Sequence, residues 1–181
     1  FEKSLIEKLD YSTPKLLGRF LECIGDSSSN SFLDLGCGTG LMGQEIKNFS
    51  SYLEGIDLSQ AMLNEADKKS IYDKLVYGDI LHYLNNESLN FDVFIAADVF
   101  VYLGDLSEIF RLLKLKNQTA GKLIFSTEYY EGSAYKLNTS GRYSHSHQYI
   151  KDLCHKFKFF LKHFETCKLR KEKNSYVIGG L

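Results

Sequence analysis

Apolar residues in this chain fall into short dense runs divided by stretches of helical periodicity. Residues 4–24, "SLIEKLDYSTPKLLGRFLECI", read as two short helices, with Pro14 at a helix start after Ser12 and Thr13. The polar run "GDSSSNS", 25–31, is a loop and the one soft seam in the chain. Beyond it the pattern alternates. "SFLDLG" (31–36) predicts a buried strand, "LMGQEIKNF" (41–49) a helix, "SYLEGIDLS" (51–59) a strand and "QAMLNEADKK" (60–69) a helix that Ser59 can cap. "KLVYGD" (74–79) predicts a third strand, with a helical turn around 81–84. "FDVFIAAD" (91–98) is apolar on both faces, as an interior parallel strand requires. "LSEIFRLLKLK" (106–116) is an amphipathic helix and "KLIFSTE" (122–128) a fifth strand. "SHQYIKDLCHKF" (146–157) is a helix, and "FFLKHFETCKLR" and "SYVIGGL", joined by "KEKN", read as a terminal β-hairpin. Strands alternating with helices predict a doubly wound, mostly parallel α/β sheet closed by an antiparallel hairpin. The expected organisation is one structural domain, with a helical cap at 1–30 and a ligand-binding domain at 31–181.

Composition narrows this picture without redirecting it. The 181 residues suit one sizeable core, and 44% hydrophobic with 25% charged residues is ordinary for a globular chain. Lys+Arg 22 against Asp+Glu 23 lacks the basic excess of a nucleic-acid footprint, which disfavours nucleic acid as partner. Cys23, Cys37, Cys154 and Cys167 are scattered without zinc or redox spacing, and reduced thiols of a cytoplasmic protein are expected. No apolar run approaches the ~20 residues of a membrane span, so no membrane partner is expected. The chain opens at Phe1 without methionine, so a trimmed N-terminus is expected.

The candidate chemistry lies in "FLDLGCGTGLMG", 32–43, where the first strand hands over to a helix. In open α/β sheets ligands bind beyond the carboxyl ends of the strands, and glycines let a ligand approach the backbone. A dinucleotide fingerprint G-x-G-x-x-G/A fits Gly36 and Gly38 but meets Leu41 at its third slot. A P-loop needs a lysine that does not follow. The pattern present, Asp34, Gly36, Gly38, Gly40, resembles the first motif of class I S-adenosylmethionine-dependent methyltransferases. "YGDIL" (77–81) and "FDVFIAADVFVYL" (91–103) resemble the third and fourth motifs.

The resemblance implies a Rossmann-like seven-stranded fold with S-adenosylmethionine as cofactor and S-adenosylhomocysteine as product. It implies that Asp34 helps hold the ammonium group, directly or through water. Asp57 accepts the ribose hydroxyls, an acidic role that dinucleotide enzymes share. Gly36, Cys37, Gly38 and Gly40 form the loop beneath the cofactor, and Leu58 and Met62 pack on it. Asp79 and the Ile80 backbone face the adenine, Ala97 and Asp98 line the methionine end, and Tyr11 lids the cofactor or packs in the core. A narrower resemblance, carried by "SLIEKLDYSTPKLL", "ADVFVYLGDL" and "GRYSHSHQYI", is to bacterial methyltransferases that often carry N-terminal tetratricopeptide repeats. It leaves room for such a domain ahead of Phe1. A more distant likeness is to small-molecule methyltransferases of quinone and biotin synthesis.

The segment 129–146, "YYEGSAYKLNTSGRYSHS", follows the fifth strand and is expected to cover the transferable methyl. Arg142 is a candidate for binding an acceptor carboxylate or phosphate. His145 is a candidate base, or a loop histidine bonded to backbone. His147 is weaker in the same role; Glu128 and Tyr102 are further candidates; His82, His155 and His163 read as surface or strand residues. The chain lacks N/D-P-P-Y/F, Pro-Cys and a His/Asp/Glu metal cluster, so no metal is expected, and a small-molecule or carrier-bound acid acceptor is favoured. Two alternatives stand beside an active methyltransferase. One is a non-catalytic cofactor- or partner-binding module on the same fold; the other is an NAD-dependent oxidoreductase.

Overall fold

A computed structural model describes residues 11–23, 30–172 and 175–181. The first expected helix and most of the seam at 25–31 lie outside these residues. The chain divides into two compact units: 14–97 with 112–124, and the chain up to Thr13 with 98–111 and 125–181. Pro14 to Cys23 therefore groups with the strands that follow it.

The first unit holds helix α1 (Thr13–Cys23, from Pro14), β1 (Asn30–Leu35), α2 (Leu41–Ile46), β2 (Ser50–Asp57), α3 (Gln60–Asp67), β3 (Lys74–Tyr77), α4 (Ile80–Asn86) and β4 (Val93–Ala96). Helix α5 (Ser107–Lys116) and β5 (Lys122–Phe125) run on from the second unit and into it. The strands form a sheet in the order β3-β2-β1-β4-β5, with β1 parallel to both β2 and β4 and β2 parallel to β3. Four consecutive residues of β1 and all of β4 are buried, so both faces of these strands are covered, as in the interior of a parallel sheet. The register pairs Leu35 with Ile56 and Asp57 with Tyr77. The carboxyl ends of β1, β2 and β3 are thus level, and the glycine run, Asp57 and Asp79 leave the sheet on one edge.

The second unit holds β6 (Thr127–Tyr129), β7 (Tyr135–Leu137), β8 (Tyr143–His145), α6 (His147–Phe157), β9 (Thr166–Glu172) and β10 (Ser175–Gly180). Its sheet order is β7-β8-β6-β10-β9. Among the described residues, two five-stranded sheets thus stand in place of the expected single sheet of seven strands. The division falls at Ser126, between β5 and β6, whose hydroxyl accepts the Asp98 backbone N–H at 2.8 Å and donates to Asp98 Oδ1 at 3.0 Å. The segment expected as an irregular loop at 129–146 supplies β7 and β8. Gly141, at φ 79°, closes their turn, with Asn138 N–H donating to Arg142 O at 2.8 Å. The terminal hairpin forms, antiparallel between β9 and β10, but its first arm starts only at Thr166. Lys158 ends α6 in the left-handed region, and Phe164 stacks on His147 at 4.0 Å instead of entering a strand.

Candidate cofactor and acceptor sites

In the first unit the glycine run is fixed by its backbone. Gly36, Gly38 and Gly40 have φ of 72°, 53° and 86°, a region costly to residues with a Cβ. The N–H groups of Gly36 and Cys37 donate to Ile56 O at 2.8 and 3.0 Å, tying the loop to the end of β2. Gly38 N–H donates to Asp57 Oδ2 at 2.8 Å, and Ser59 N–H to Asp57 Oδ1 at 2.8 Å. A carboxylate has about four acceptor sites, so each Asp57 oxygen retains capacity for a ligand hydroxyl.

The glycines answer to two different neighbours. A Cβ on Gly38 would meet nothing within 4 Å, so open space lies against this backbone. A Cβ on Gly40 would lie 3.1 Å from Tyr72 Cε2, and one on Gly55 2.8 Å from Tyr72 Cε1. On Gly43 it would overlap the Tyr72 hydroxyl and come 2.9 Å from Cε2. Three glycines thus form a slot for one tyrosine ring. Gly40 serves that slot, a role that its place in the motif does not reveal.

Tyr72 uses the slot to reach Asp34. Its hydroxyl donates to Asp34 Oδ2 at 2.7 Å, while Asp34 Oδ1 has no hydrogen-bond partner. Asp34 is 1% exposed. Burial pushes its carboxyl up to about 7; the Tyr72 hydrogen bond opposes the rise and the nearby Asp57 charge adds to it. Cys37 is buried, and desolvation pushes its thiol far up, so its side chain belongs to the packing beneath the loop.

Ser59 caps α3 through Met62 N–H at 3.4 Å, Met62 is partly buried, and Leu58 is 65% exposed. Asp79 caps α4 through His82 N–H at 2.8 Å and is exposed, with Ile80 partly buried beside it. Gly78 N–H donates to Asp57 O at 3.0 Å, which sets Asp79 next to Asp57 along the strand ends. Ala97 follows β4 and is partly exposed.

In the second unit Asp98 has φ 55°, a strained conformation for a residue with a side chain. Its carboxylate accepts from Thr13 Oγ1 at 3.2 Å and pairs with Arg170 Nη1 at 3.4 Å. Burial holds its carboxyl above the ordinary aspartate range despite Arg170. Arg170, 5% exposed, also pairs with Glu128 through Nη2 and with Glu172 through Nε at 2.8 Å. Glu128 takes a second hydrogen bond from Asn138 Nδ2 at 3.1 Å. Arg142 joins this network through Glu172 and keeps partial exposure.

His145 does not join it. The ring is 1% exposed, with Nε2 2.9 Å from Gly104 O, and it stacks on Tyr149 at 5.6 Å beside Tyr135 at 6.0 Å. Burial lowers its proton affinity. His147 is occupied by Phe164. Tyr102 is 64% exposed, and Tyr11 is partly buried. Sequence reasoning missed Tyr72, Ser126, Asn138 and Arg170. Tyr72 stands in a polar turn with no motif spacing, and nothing in a strand pattern marks Arg170 as buried. Among the described residues no cluster of three His, Cys, Asp or Glu side chains could hold a metal, and no helix is long and apolar enough to cross a membrane.

Comparison with known proteins gives matches to part of the chain. A family described as "Methyltransferase domain" matches residues 32–116. An 18S rRNA (guanine-N(7))-methyltransferase of Bos taurus is 40% identical over 68 residues, 36% of this chain and 24% of that protein. A malonyl-[acyl-carrier protein] O-methyltransferase of Bacillus anthracis is 30% identical over 104 residues, 56% of this chain and 38% of that protein. The matches thus span well under half the length of these curated relatives. The magnesium protoporphyrin IX methyltransferase of Synechocystis PCC 6803, solved with bound S-adenosylmethionine, superposes with a TM-score of 0.69 at 17% identity. That superposition covers 93% of this chain and 77% of the other. The first unit also fits such a cofactor on its own terms. It offers an unpartnered buried carboxyl oxygen for an ammonium group, open space at Gly38 and a carboxylate at the end of β2. Residues 32–116 match a methyltransferase-domain family, and the chain has the fold of the methyltransferase solved with bound S-adenosylmethionine.

Proposed function

We propose that the chain transfers a methyl group from S-adenosylmethionine to a small-molecule or carrier-bound acid. The observation that carries the cofactor half of this reading is Asp34, buried beneath the glycine run with Oδ1 unpartnered. When bound, the cofactor supplies an electrophilic methyl group on a sulfonium. Asp34 neutralises the ammonium, directly or through one water. Asp57 accepts the ribose hydroxyls while its own bonds to Gly38 and Ser59 keep it from swinging away. Asp79, Ile80, Leu58 and Met62 receive the adenine, and Ala97 lines the methionine end.

The relative named for malonyl-[acyl-carrier protein] supports an acidic acceptor. A carboxylate is already anionic near neutral pH, so its methylation needs alignment and no general base. This suits the state of His145, which we assign as a positioning residue holding the 103–106 turn through Gly104 O, in place of a proton-abstracting role. Arg142 is the proposed acceptor anchor. Its pairing with Glu172 uses one nitrogen of a five-donor guanidinium, leaving a fork that can engage a carboxylate.

The test incubates the chain with S-adenosylmethionine and a panel of free dicarboxylic acids, their carrier-bound thioesters and a ribosomal RNA fragment, and reads S-adenosylhomocysteine release. The expected result is turnover with an acid. Arg142→Ala should then raise the acceptor KM about tenfold or more with cofactor affinity unchanged, and Arg142→Lys should restore only part. Cofactor binding with no turnover on any acceptor would make the chain a binding module. Turnover on RNA alone would overturn the acceptor class.

A further inference from the structure

The Tyr72 slot has no part in the family pattern read from the sequence, yet it determines what Asp34 can do. The ring lies against Gly40, Gly43 and Gly55, and its hydroxyl oxygen is hydrogen-bonded by the Gly43 backbone while it donates to Asp34 Oδ2. Tyr72 is therefore fixed on several sides, and so is the Asp34 carboxyl. The titratable groups against Asp34 are Tyr72 from the turn after α3, Cys37 from the glycine run and Asp57 from the end of β2. None of these carries positive charge. A buried carboxyl with one oxygen held and the other unpartnered is costly when ionised, and an arriving cation relieves that cost.

We infer that Tyr72 is a positioning residue for cofactor capture: it holds Asp34 Oδ2 so that Oδ1 stays the vacant acceptor, and the carboxyl releases a proton to solvent as an ammonium group docks. This rests on the cofactor reading above. The proton balance is simple. Below about pH 7 the free protein carries the proton on Asp34, the bound form carries the ammonium in its place, and the proton passes to the buffer. Above that range Asp34 is already ionised and nothing is released. Affinity for an ammonium-bearing ligand therefore rises as pH increases towards 7 and levels off above it. Because the Tyr72 hydrogen bond favours the ionised form, its loss moves this whole profile to higher pH.

The experiment is titration calorimetry of the whole chain with S-adenosylhomocysteine at pH 6 and pH 8.5, in pairs of buffers that differ in ionisation enthalpy. 5′-Methylthioadenosine, which keeps the nucleoside and thioether but lacks the ammonium, is the control ligand. The expected result is release of nearly one proton per S-adenosylhomocysteine at pH 6, little at pH 8.5, and none with the control at either pH. Tyr72→Phe keeps the ring in its slot. It should weaken S-adenosylhomocysteine about tenfold at pH 7, much less at pH 8.5, and leave the control ligand unchanged. A merely structural role would lower both affinities together and leave proton release untouched. Binding of S-adenosylhomocysteine by the unaltered chain without proton exchange overturns the inference alone. Failure of that ligand to bind at any pH overturns the cofactor reading with it.

Discussion

Replacing Arg170 by alanine is expected to destabilise the chain by about 3–5 kcal/mol, the range for removing one partner of a buried ion pair. Three carboxylates converge on this guanidinium: Asp98, Glu128 and Glu172. Glu128 is nearly as buried as Arg170 and would keep only Asn138 as partner. Asp98 would keep Ser126 and Thr13 while holding a strained backbone. Thermal unfolding should show a fall of roughly 10 °C at neutral pH, given about 2–4 °C per kcal/mol for a chain of this size.

The sign of the pH dependence follows from the same groups. Without Arg170, the buried carboxyls bind protons more tightly in the folded chain than in the unfolded one. Part of the lost stability should therefore return as pH falls towards about 5. Adding Glu128→Gln to Arg170→Met should also recover part of the loss, because it removes the charge left without a partner. A fall of less than about 1 kcal/mol would mean that solvent reaches these carboxylates and that the network does not hold the second unit together.

Gly43→Val should be the second large effect, and its contrast with Gly38→Val separates the two uses of glycine in the run. Adding a side chain to a glycine inside a helix ordinarily helps. Gly43 lies within α2, but its Cβ would overlap the Tyr72 hydroxyl, and Tyr72 is blocked from retreating by Gly55. Overpacking of this kind costs up to ~3 kcal/mol, and expelling Tyr72 also strips Asp34 of its partner. At Gly38 an added Cβ meets no protein atom, so the cost of Gly38→Val to stability should be mainly the roughly 1–2 kcal/mol of an unfavourable φ. Its effect should fall on ligand binding, which the new side chain blocks. Denaturant melts and calorimetry on the two variants measure both quantities. Equal loss of stability in both would show that the open space at Gly38 is not there in solution.

The parts of this molecule that were legible in the sequence are those fixed by local rules. The parallel core strands announce themselves as apolar runs, since both faces of β1 and β4 are covered. Ser59 and Ser146 mark the starts of α3 and α6 because a hydroxyl there satisfies a backbone N–H. Asp34, Gly36, Gly38 and Gly40 stand at spacings that three left-handed residues demand. What escaped depends on long-range pairing. The break at Ser126 is set by Asp98, 28 positions away, and no apolar period records it. β7 and β8 are short and largely polar at their turn, so they read as loop until β6 gives β8 a partner. Arg170 falls in a stretch that reads only as a hairpin arm, since burial of a cation is decided by carboxylates from other elements. Tyr72 lies 38 positions from the Asp34 it holds, and two of the glycines that admit it, Gly40 and Gly43, stand in the run that reads as a ligand loop.

The most direct test of the central claim is a comparison of S-adenosylmethionine, S-adenosylhomocysteine and NAD by calorimetry and thermal unfolding of the same preparation. A ligand that binds only the folded chain stabilises it by about 2.7 kcal/mol at a hundredfold excess over Kd. The account predicts saturable binding of one S-adenosylmethionine or S-adenosylhomocysteine per chain, a matching rise in Tm, and no response to NAD. A rise with NAD and none with either sulfur ligand would contradict it.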